Sequence, residues 1–583
     1  MSTVGVAFER SLLPIIGSHR AYRKRNNARK RRSLARRLGS IGFSLKPITH
    51  KPNRMYLEQR PAPMSSQPQA RPDINPWLIA VAVMSSTFME VLDTTVVNVS
   101  LPHIAGNLSA STDEATWTLT SYLVANAIIL PMTGWLAGRF GRKRLLLLAV
   151  SGFTVASFFC GLAPTLSLLI VFRVIQGACG GGLQPLSQAI LLESFPPQKR
   201  GQAMAFWALG IVVAPMLGPV LGGWLTDNYS WRWVFYINVP IGVLAILLTQ
   251  AFVYDPPYLR RERTGIDYWG IGLLVVGMGS LQVMLDKGQE EDWFSSHFIV
   301  ILATLAVVGL GGLLIRELKA AHPVIDLSVF KYRSYAVGTF LMTIVGFVLY
   351  GSTVLLPLLM QELLGYTATH AGVTNLPRGM ASFLFMPVVG ILVGRVDSRK
   401  LLALGLVGTA TAMFSLSFFS LDVGFWNFWW PLMLQGAGLG LIFVPLTTVT
   451  NDPVPRERMG NATSIFNLMR NVGASVGISS VETLQFRYMQ THLNHLSQHV
   501  NAANLQTQRA LGGLRETFIS KGADVATATR QAHGALWGML QRQAAILSYN
   551  DVFRFLGWMF LLMLPLLFLM EKPRGGKGPP MAH

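Results

Sequence analysis

An apolar run of about 20 residues is long enough to cross the hydrocarbon core of a bilayer as a helix. This sequence contains fourteen such runs. They lie near 77–101, 115–137, 145–163, 166–192, 202–226, 233–253, 266–285, 297–315, 336–360, 371–394, 401–420, 425–450, 460–482 and 550–570. The runs are continuous rather than alternating, which excludes a transmembrane β-barrel. The expected fold class is an all-α polytopic membrane protein. Composition agrees: 51% of residues are hydrophobic and 13% are charged, against about 25% charged in soluble domains. A disordered chain and an ordinary soluble enzyme are disfavoured together. Cys160 and Cys179 sit inside apolar runs, so a disulfide framework or cysteine metal cage is not expected.

Charge fixes an expected orientation. Cytoplasmic loops of membrane proteins are enriched in Lys and Arg. An even number of spans puts both termini on one side. With the basic N-terminus inside, the inner connections hold Arg139 to Arg144, Lys199 and Arg200, Arg260 to Arg263, Arg316 to Arg333, Arg395 to Lys400 and Arg456 to Arg458. The short outer loops hold only Arg232 and Lys287, with Asp113, Glu114, Asp227, Glu290, Glu291 and Asp292. One span more or fewer would scramble this alternation.

Two segments stand apart. Residues 483–549 make a long outer connection in which Phe486, Met489, Leu493, Leu496 and Val500 form one apolar helical stripe. The stripe suits an amphipathic helix folded back on the protein or the membrane surface, or a docking surface for a partner. The N-terminal arm, residues 1–75, holds 16 Lys and Arg against three acids, including Arg29, Lys30, Arg31 and Arg32. It has no long apolar run of a secretory signal. It reads as disordered or as a misassigned start, because Met64 leads directly into the first span. Acidic-lipid binding is the next reading, and nucleic acid is not expected as a partner.

Four spans carry polar or glycine patterns. Glu90 and Asp93 lie three residues apart in the first span, so they are expected to share a helix face. Carboxylates inside a membrane helix cost about 2.5–3.5 kcal/mol each on insertion scales and usually face a protein interior or wet cavity. Burial and mutual repulsion make them candidates for proton exchange. Structural hydrogen bonding is the alternative for both. Arg173 in the fourth span cannot discharge itself by losing a proton. It therefore needs a partner, as a tunable neighbour of an acid or as a fixed ion pair. Gly134 at the end of the second span, with Gly138, Arg139, Gly141 and Arg142 after it, suits a tight basic turn. Gly210, Pro215, Gly218, Pro219, Gly222 and Gly223 in the fifth span make a groove for a neighbouring helix and a backbone able to pivot.

These motifs stand in the order seen in the major facilitator superfamily, and the chain resembles that family. Gly210 to Gly223 resembles the motif of its drug:proton antiporters. Leu92, Asp93, Thr94 and Thr95, the segment Asp227 to Pro240, and Asp286 with Gly288 and Asp292 to Phe294 resemble the fourteen-span EmrB/QacA type. The long connection before the last span fits the EmrB subgroup. The resemblance covers about residues 73–575 and omits the basic arm. One position departs: the family commonly carries an acid where Gly138 stands, so its cytoplasmic latch would be absent or shifted to Arg139 and Arg142.

The resemblance implies two six-helix bundles, 76–255 and 336–570, with two inserted helices and their flanking loops in 256–335 and a cytoplasmic tail in 571–583. The implied activity is proton-coupled export of hydrophobic or amphipathic compounds by alternating access, without a cofactor. Asp93, Glu90 and Arg173 would couple the proton. Asn98, Gln176, Gln184, Gln188, Asn238, Gln282 and Arg378 are candidate substrate contacts, although interhelix packing is the plainer role for any single glutamine. Arg470 and Asn471 are further polar positions in the thirteenth span. A periplasmic membrane-fusion adaptor and an outer-membrane channel would complete a tripartite pump in a bacterial inner membrane. The sequence contains no phosphate-binding loop of an ATP-driven pump. Fatty acids, siderophores or other self-made metabolites are alternative cargoes. A lipid-modifying membrane enzyme and a non-transporting sensor are the rivals from other classes.

Overall fold

The computed structural model describes residues 75–255, 265–320, 323–501 and 503–571. The basic arm, the loop containing Arg260, Arg261 and Arg263, and the tail beyond Glu571 lie outside the described residues. The described chain is helical, and no strand occurs in it.

The first group of helices is α1 (Pro76–Asn107), α2 (Thr112–Phe140), α3 (Arg142–Leu162), α4 (Leu166–Gly180), α5 (Leu183–Ser194), α6 (Arg200–Asn228), α7 (Trp233–Tyr236) and α8 (Asn238–Phe252). Then come α9 (Tyr268–Lys287) and α10 (His297–Lys319). The second group is α11 (Arg333–Leu358), α12 (Ala368–Leu392), α13 (Ser398–Leu416), α14 (Trp429–Asn451), α15 (Met459–His499), α16 (Leu505–Ser520) and α17 (Val525–Leu562). Several of their starts carry side-chain caps. Asn75 caps α1 ahead of Pro76, and Ser111 forms a reciprocal capping box with Glu114 at α2. Asp397 and Asp524 cap α13 and α17.

Thirteen spans among the described residues are long and apolar enough to cross a membrane. That is one fewer than the fourteen expected. The missing one is 460–482, which lies within the 41-residue α15. Asn461, Asn467, Arg470 and Asn471 lower its hydropathy. Packing accounts for the polarity. α15 touches α2, α5, α9, α11 and α17, so protein rather than lipid receives these side chains.

α1 packs on α6 and α8, α2 on α4, and α3 on α4 and α8. A second set joins α11 to α15, α14 to α12 and α13, and α17 to α13 and α15. α9 and α10 pair with each other, and α9 also touches α2 and α15. A seam runs between the two sets, built from α6 with α12 and α14 and from α15 with α2 and α5.

The long connection is largely helical. α15 continues to His499, α16 follows, and α17 begins at Val525. Met489, Leu493, Leu496 and Val500 are half-buried, while Phe486 is exposed. His492 Nε2 lies 2.7 Å from Asp551 Oδ2 and ties the α15 extension to α17. Most of the apolar stripe therefore folds against the protein.

At the start of α9, Asp267 Oδ1 accepts from Gly270 N–H at 3.0 Å, and Arg316 Nε on α10 donates to Oδ2 at 3.1 Å. The Arg316 guanidinium holds the Asp267 carboxyl below its usual range, against a smaller opposing effect of burial. A carboxyl lowered by folding stabilises the fold above its unfolded value, and that stability is lost as pH falls through the folded value. Acidification below about pH 4 is therefore expected to lower amide protection in the first turn of α9, measured relative to the intrinsic exchange rate at each pH. Asp267→Asn should remove that pH dependence. Equal pH responses in the two proteins would contradict the assignment.

Candidate functional site

Asp93 is fully buried near the middle of α1. Its Oδ2 accepts from Arg173 Nη1 of α4 at 2.6 Å. Its Oδ1 accepts from Gln176 Nε2 at 2.9 Å and Asn238 Nδ2 of α8 at 2.7 Å. Asn238 also donates to Ser157 Oγ of α3 at 3.0 Å. Arg173 Nε donates to the Thr118 carbonyl of α2 at 3.0 Å, and the guanidinium lies 4.1 Å from the Tyr122 ring centre. Five helices thus converge on one ion pair. Such a pair survives burial only when further hydrogen bonds satisfy it. The sequence groups Asp93 with Arg173 and offers Gln176 and Asn238 as cargo contacts; the fold brings all four together.

Glu90 is also buried but belongs to a different cluster. Its Oε1 accepts from Asn126 Nδ2 of α2 at 3.2 Å, and Gln184 of α5 lies against the carboxylate. Arg470 of α15, in the second helix set, donates through Nη2 to Gln184 Oε1. Asn467 Nδ2 donates to Gln188 Oε1 at 2.6 Å, and Thr463 Oγ1 donates to the Pro185 carbonyl at 3.0 Å. These bonds follow one line along the seam towards the arginine-rich end. Gln184 and Gln188 are thus seam residues. Gln282 accepts from Ser475 Oγ, Arg378 donates to Thr353 Oγ1 at 3.2 Å, and Asn98 is exposed.

The glycine motifs mark close approaches. A Cβ on Gly218 would collide with Thr95 of α1, and one on Gly222 would lie 2.8 Å from the Val96 carbonyl. Gly210 faces the Met84 side chain, whereas Gly223 has ordinary space around it. Pro215 and Pro219 lie within the unbroken helix α6. Gly134 meets the Asn461 backbone across the seam. Gly141 has a positive φ of 87°, where Asp255 caps α3 by accepting from Lys143 N–H at 2.8 Å. At Gly138, where the family's acid is missing, a would-be Cβ meets no other helix or side chain within 4 Å among the described residues. The neighbouring Arg142 is buried, pairs with Glu193 of α5 and reaches the Arg456 carbonyl at 3.4 Å across the seam. Arg139 stacks near Trp135. Arg200 and Asp452 add another pair across the seam at 3.4 Å.

The second helix set repeats this glycine architecture, with the neutral Gln435–Ser352 contact where the first has Gln176 on Asp93. Gly177 of α4 packs on the Tyr122 carbonyl, and Gly436 of α14 packs on the Arg378 carbonyl. Gln176 donates to Asp93, while Gln435 donates to Ser352 Oγ at 3.1 Å. Gly473 and Gly477 approach α11 much as Gly218 and Gly222 approach α1. The repeated Gln-Gly pair and the Gly473 to Gly477 spacing were the sequence signals available for this repeat.

Residues 83–478 match the Major Facilitator Superfamily. This chain belongs to that superfamily. Multidrug export protein EmrB of Escherichia coli (strain K12) is 39% identical over 502 residues, 86% of this chain and 96% of that protein. Fatty acid resistance protein FarB of Neisseria gonorrhoeae is 38% identical over 503 residues, 86% of this chain and 97% of that protein. These similarities place the chain in the EmrB-type group of the superfamily's drug:proton antiporters. Among solved structures, the major facilitator proton:xylose symporter XylE aligns with a TM-score of 0.54 at 16% identity, covering 86% of this chain and 97% of that one. That likeness concerns the fold.

Proposed function

We propose that this protein exports hydrophobic or amphipathic compounds in exchange for protons by alternating access between its two helix sets. The observation that carries the reading is the pair of buried acids on α1, Asp93 and Glu90, with Glu90 on the seam that must open and close. Asp93, Glu90 and Arg173 form the proton-coupling group. Residues 76–255 and 336–570 act as the two moving halves, and 256–335 supply the inserted pair. The arginine-rich end faces the cytoplasm of a bacterial inner membrane, as do both termini. In this structure the seam is bonded at that end, which this reading takes as the outward-facing member of the cycle. Asn98, Gln184, Gln188, Gln282 and Arg378 are the polar candidates around the cargo. Gln176 and Asn238 serve Asp93 instead.

The proton gradient supplies the free energy, and no cofactor is required. Each charge moved across 100 mV is worth about 2.3 kcal/mol, so one or two protons sustain useful accumulation. The extensions of α15 and α17 with α16 provide the surface for a periplasmic membrane-fusion adaptor, which would lead to an outer-membrane channel. The similarity to FarB favours fatty acids as the second cargo to test.

The deciding experiment is efflux of a fluorescent lipophilic cation from efflux-deficient cells, with and without a protonophore. Export that collapses with the gradient is expected. Export indifferent to the protonophore would sink proton coupling. No export at all would move fatty acids, then other metabolites, to the front.

A further inference from the structure

Glu90 and Asp93 differ in where their charge is balanced. Asp93 meets Arg173 within its own half. The cation that acts on Glu90 is Arg470, which belongs to the other half. Gln184 lies against Glu90 and accepts from Arg470, so it bridges the two charges. Glu90 Oε2 and Arg470 Nη1 are both buried without a hydrogen-bond partner among the described residues. Arg470 is 1% exposed, and its other contacts are to the neutral Asn471 at 3.1 and 3.3 Å.

Among the described residues, the remaining surroundings of Glu90 contain no competing cation. α2 presents Tyr122 and Asn126, and α1 itself presents Asp93, already neutralised by Arg173. α6 carries charged residues only at its ends, Arg200 and Asp227, and α8 carries none. Arg470 also sits at the head of the line formed by Asn467–Gln188, Thr463–Pro185 and Arg142–Arg456.

We propose that Arg470 is a positioning residue that reads the charge of Glu90 across the seam and converts its protonation into release of the arginine-rich end. This rests on the proton-coupling reading above. With Glu90 ionised, the two halves attract through a low-dielectric contact. With Glu90 neutral, Arg470 is a buried cation facing only neutral amides, and it cannot discharge itself. The state that opens the seam and hydrates Arg470 then gains population. That direction suits an exchanger, because a proton taken up in the outward-facing form would drive the turn inward.

The test places spin labels at Lys199 and Glu457, exposed residues on opposite sides of the seam at the arginine-rich end, after replacing Cys160 and Cys179. Distances are read in lipid nanodiscs at about pH 8 and about pH 5. In the parent protein the ratio of long to short distances is expected to rise roughly tenfold on acidification. Glu90→Gln should give the long distance at both pH values. Arg470→Gln should abolish the pH response, and Arg470→Lys should restore most of it. If Arg470→Gln does not fold, Gln184→Ala removes the bridge, keeps the cation, and should at least halve the response.

A full pH response in Arg470→Gln or Gln184→Ala overturns the proposal. A response abolished by Asp93→Asn but untouched by Glu90→Gln overturns it too, while leaving proton-coupled export standing. Absence of any response in the parent, together with protonophore-insensitive export, removes the coupling reading itself.

Discussion

Arg173→Leu is expected to destabilise the folded protein by about 3–5 kcal/mol, the usual cost of stranding one member of a buried ion pair. Asp93 is 0% exposed and would keep only the amide donors of Gln176 and Asn238. The Tyr122 ring would lose a desolvated cation at 4.1 Å, a contact worth about 2 kcal/mol in such settings. Replacing both charges, as in Asp93→Leu with Arg173→Leu, should recover most of the loss, because two apolar side chains leave no uncompensated charge. The double variant should nevertheless fail to export when a proton gradient is imposed to drive it. Equilibrium denaturation in mixed micelles gives the stabilities, and vesicle flux gives the activity. A single variant within about 1 kcal/mol of the parent would mean that water reaches Asp93, as at an exposed ion pair.

The same residues show where sequence reasoning holds and where it stops. Span positions were legible because a membrane helix must be continuously apolar wherever lipid touches it. α15 escapes the hydropathy criterion because its neighbours are helices, and neighbours are not written in a local window. The chemistry of Asp93, Arg173, Gln176 and Asn238 was visible residue by residue. Their convergence was not, since 80 to 145 residues separate the partners. Glu90 and Asp93 were expected on one face. Three residues of helix advance about 300°, leaving the two side chains about 60° apart. That offset sends Asp93 towards α4 and α8 and Glu90 towards α5 and α15. Arg470 was noticed but had no assignable partner, because its partner lies in the opposite half. The absent acid at Gly138 was visible, but the bonding of Arg142 to Glu193 and to the Arg456 carbonyl required the fold.

Gly218→Val should come close to abolishing export while leaving the protein in the membrane. The added Cβ would meet Thr95 Oγ1 and, at 3.1 Å, the Thr95 backbone carbonyl carbon. Thr95 cannot readily swing away, because its hydroxyl donates to the carbonyls of Val91 at 3.2 Å and Leu92 at 3.0 Å. One turn later Gly222 makes the same approach to Val96, so the strain falls on the α1–α6 contact rather than on one rotamer. Overpacking of this kind costs about 1–3 kcal/mol. Directed at one of two conformations, that energy changes their ratio by about 5- to 150-fold. α6 also touches α12 across the seam, where Gly201 meets the Gly390 carbonyl, so a displaced α6 alters the moving interface as well as its own half. Gly218→Ala should impair export less than valine does. Gly223→Ala should cost far less than Gly218→Ala, because its nearest neighbour, Val99, is 3.9 Å away. Equal losses at Gly218 and Gly223, measured as initial efflux rates at matched membrane levels, would show that the motif acts through backbone flexibility. A graded loss that follows the distances would show that it acts through the depth to which α1 enters the groove.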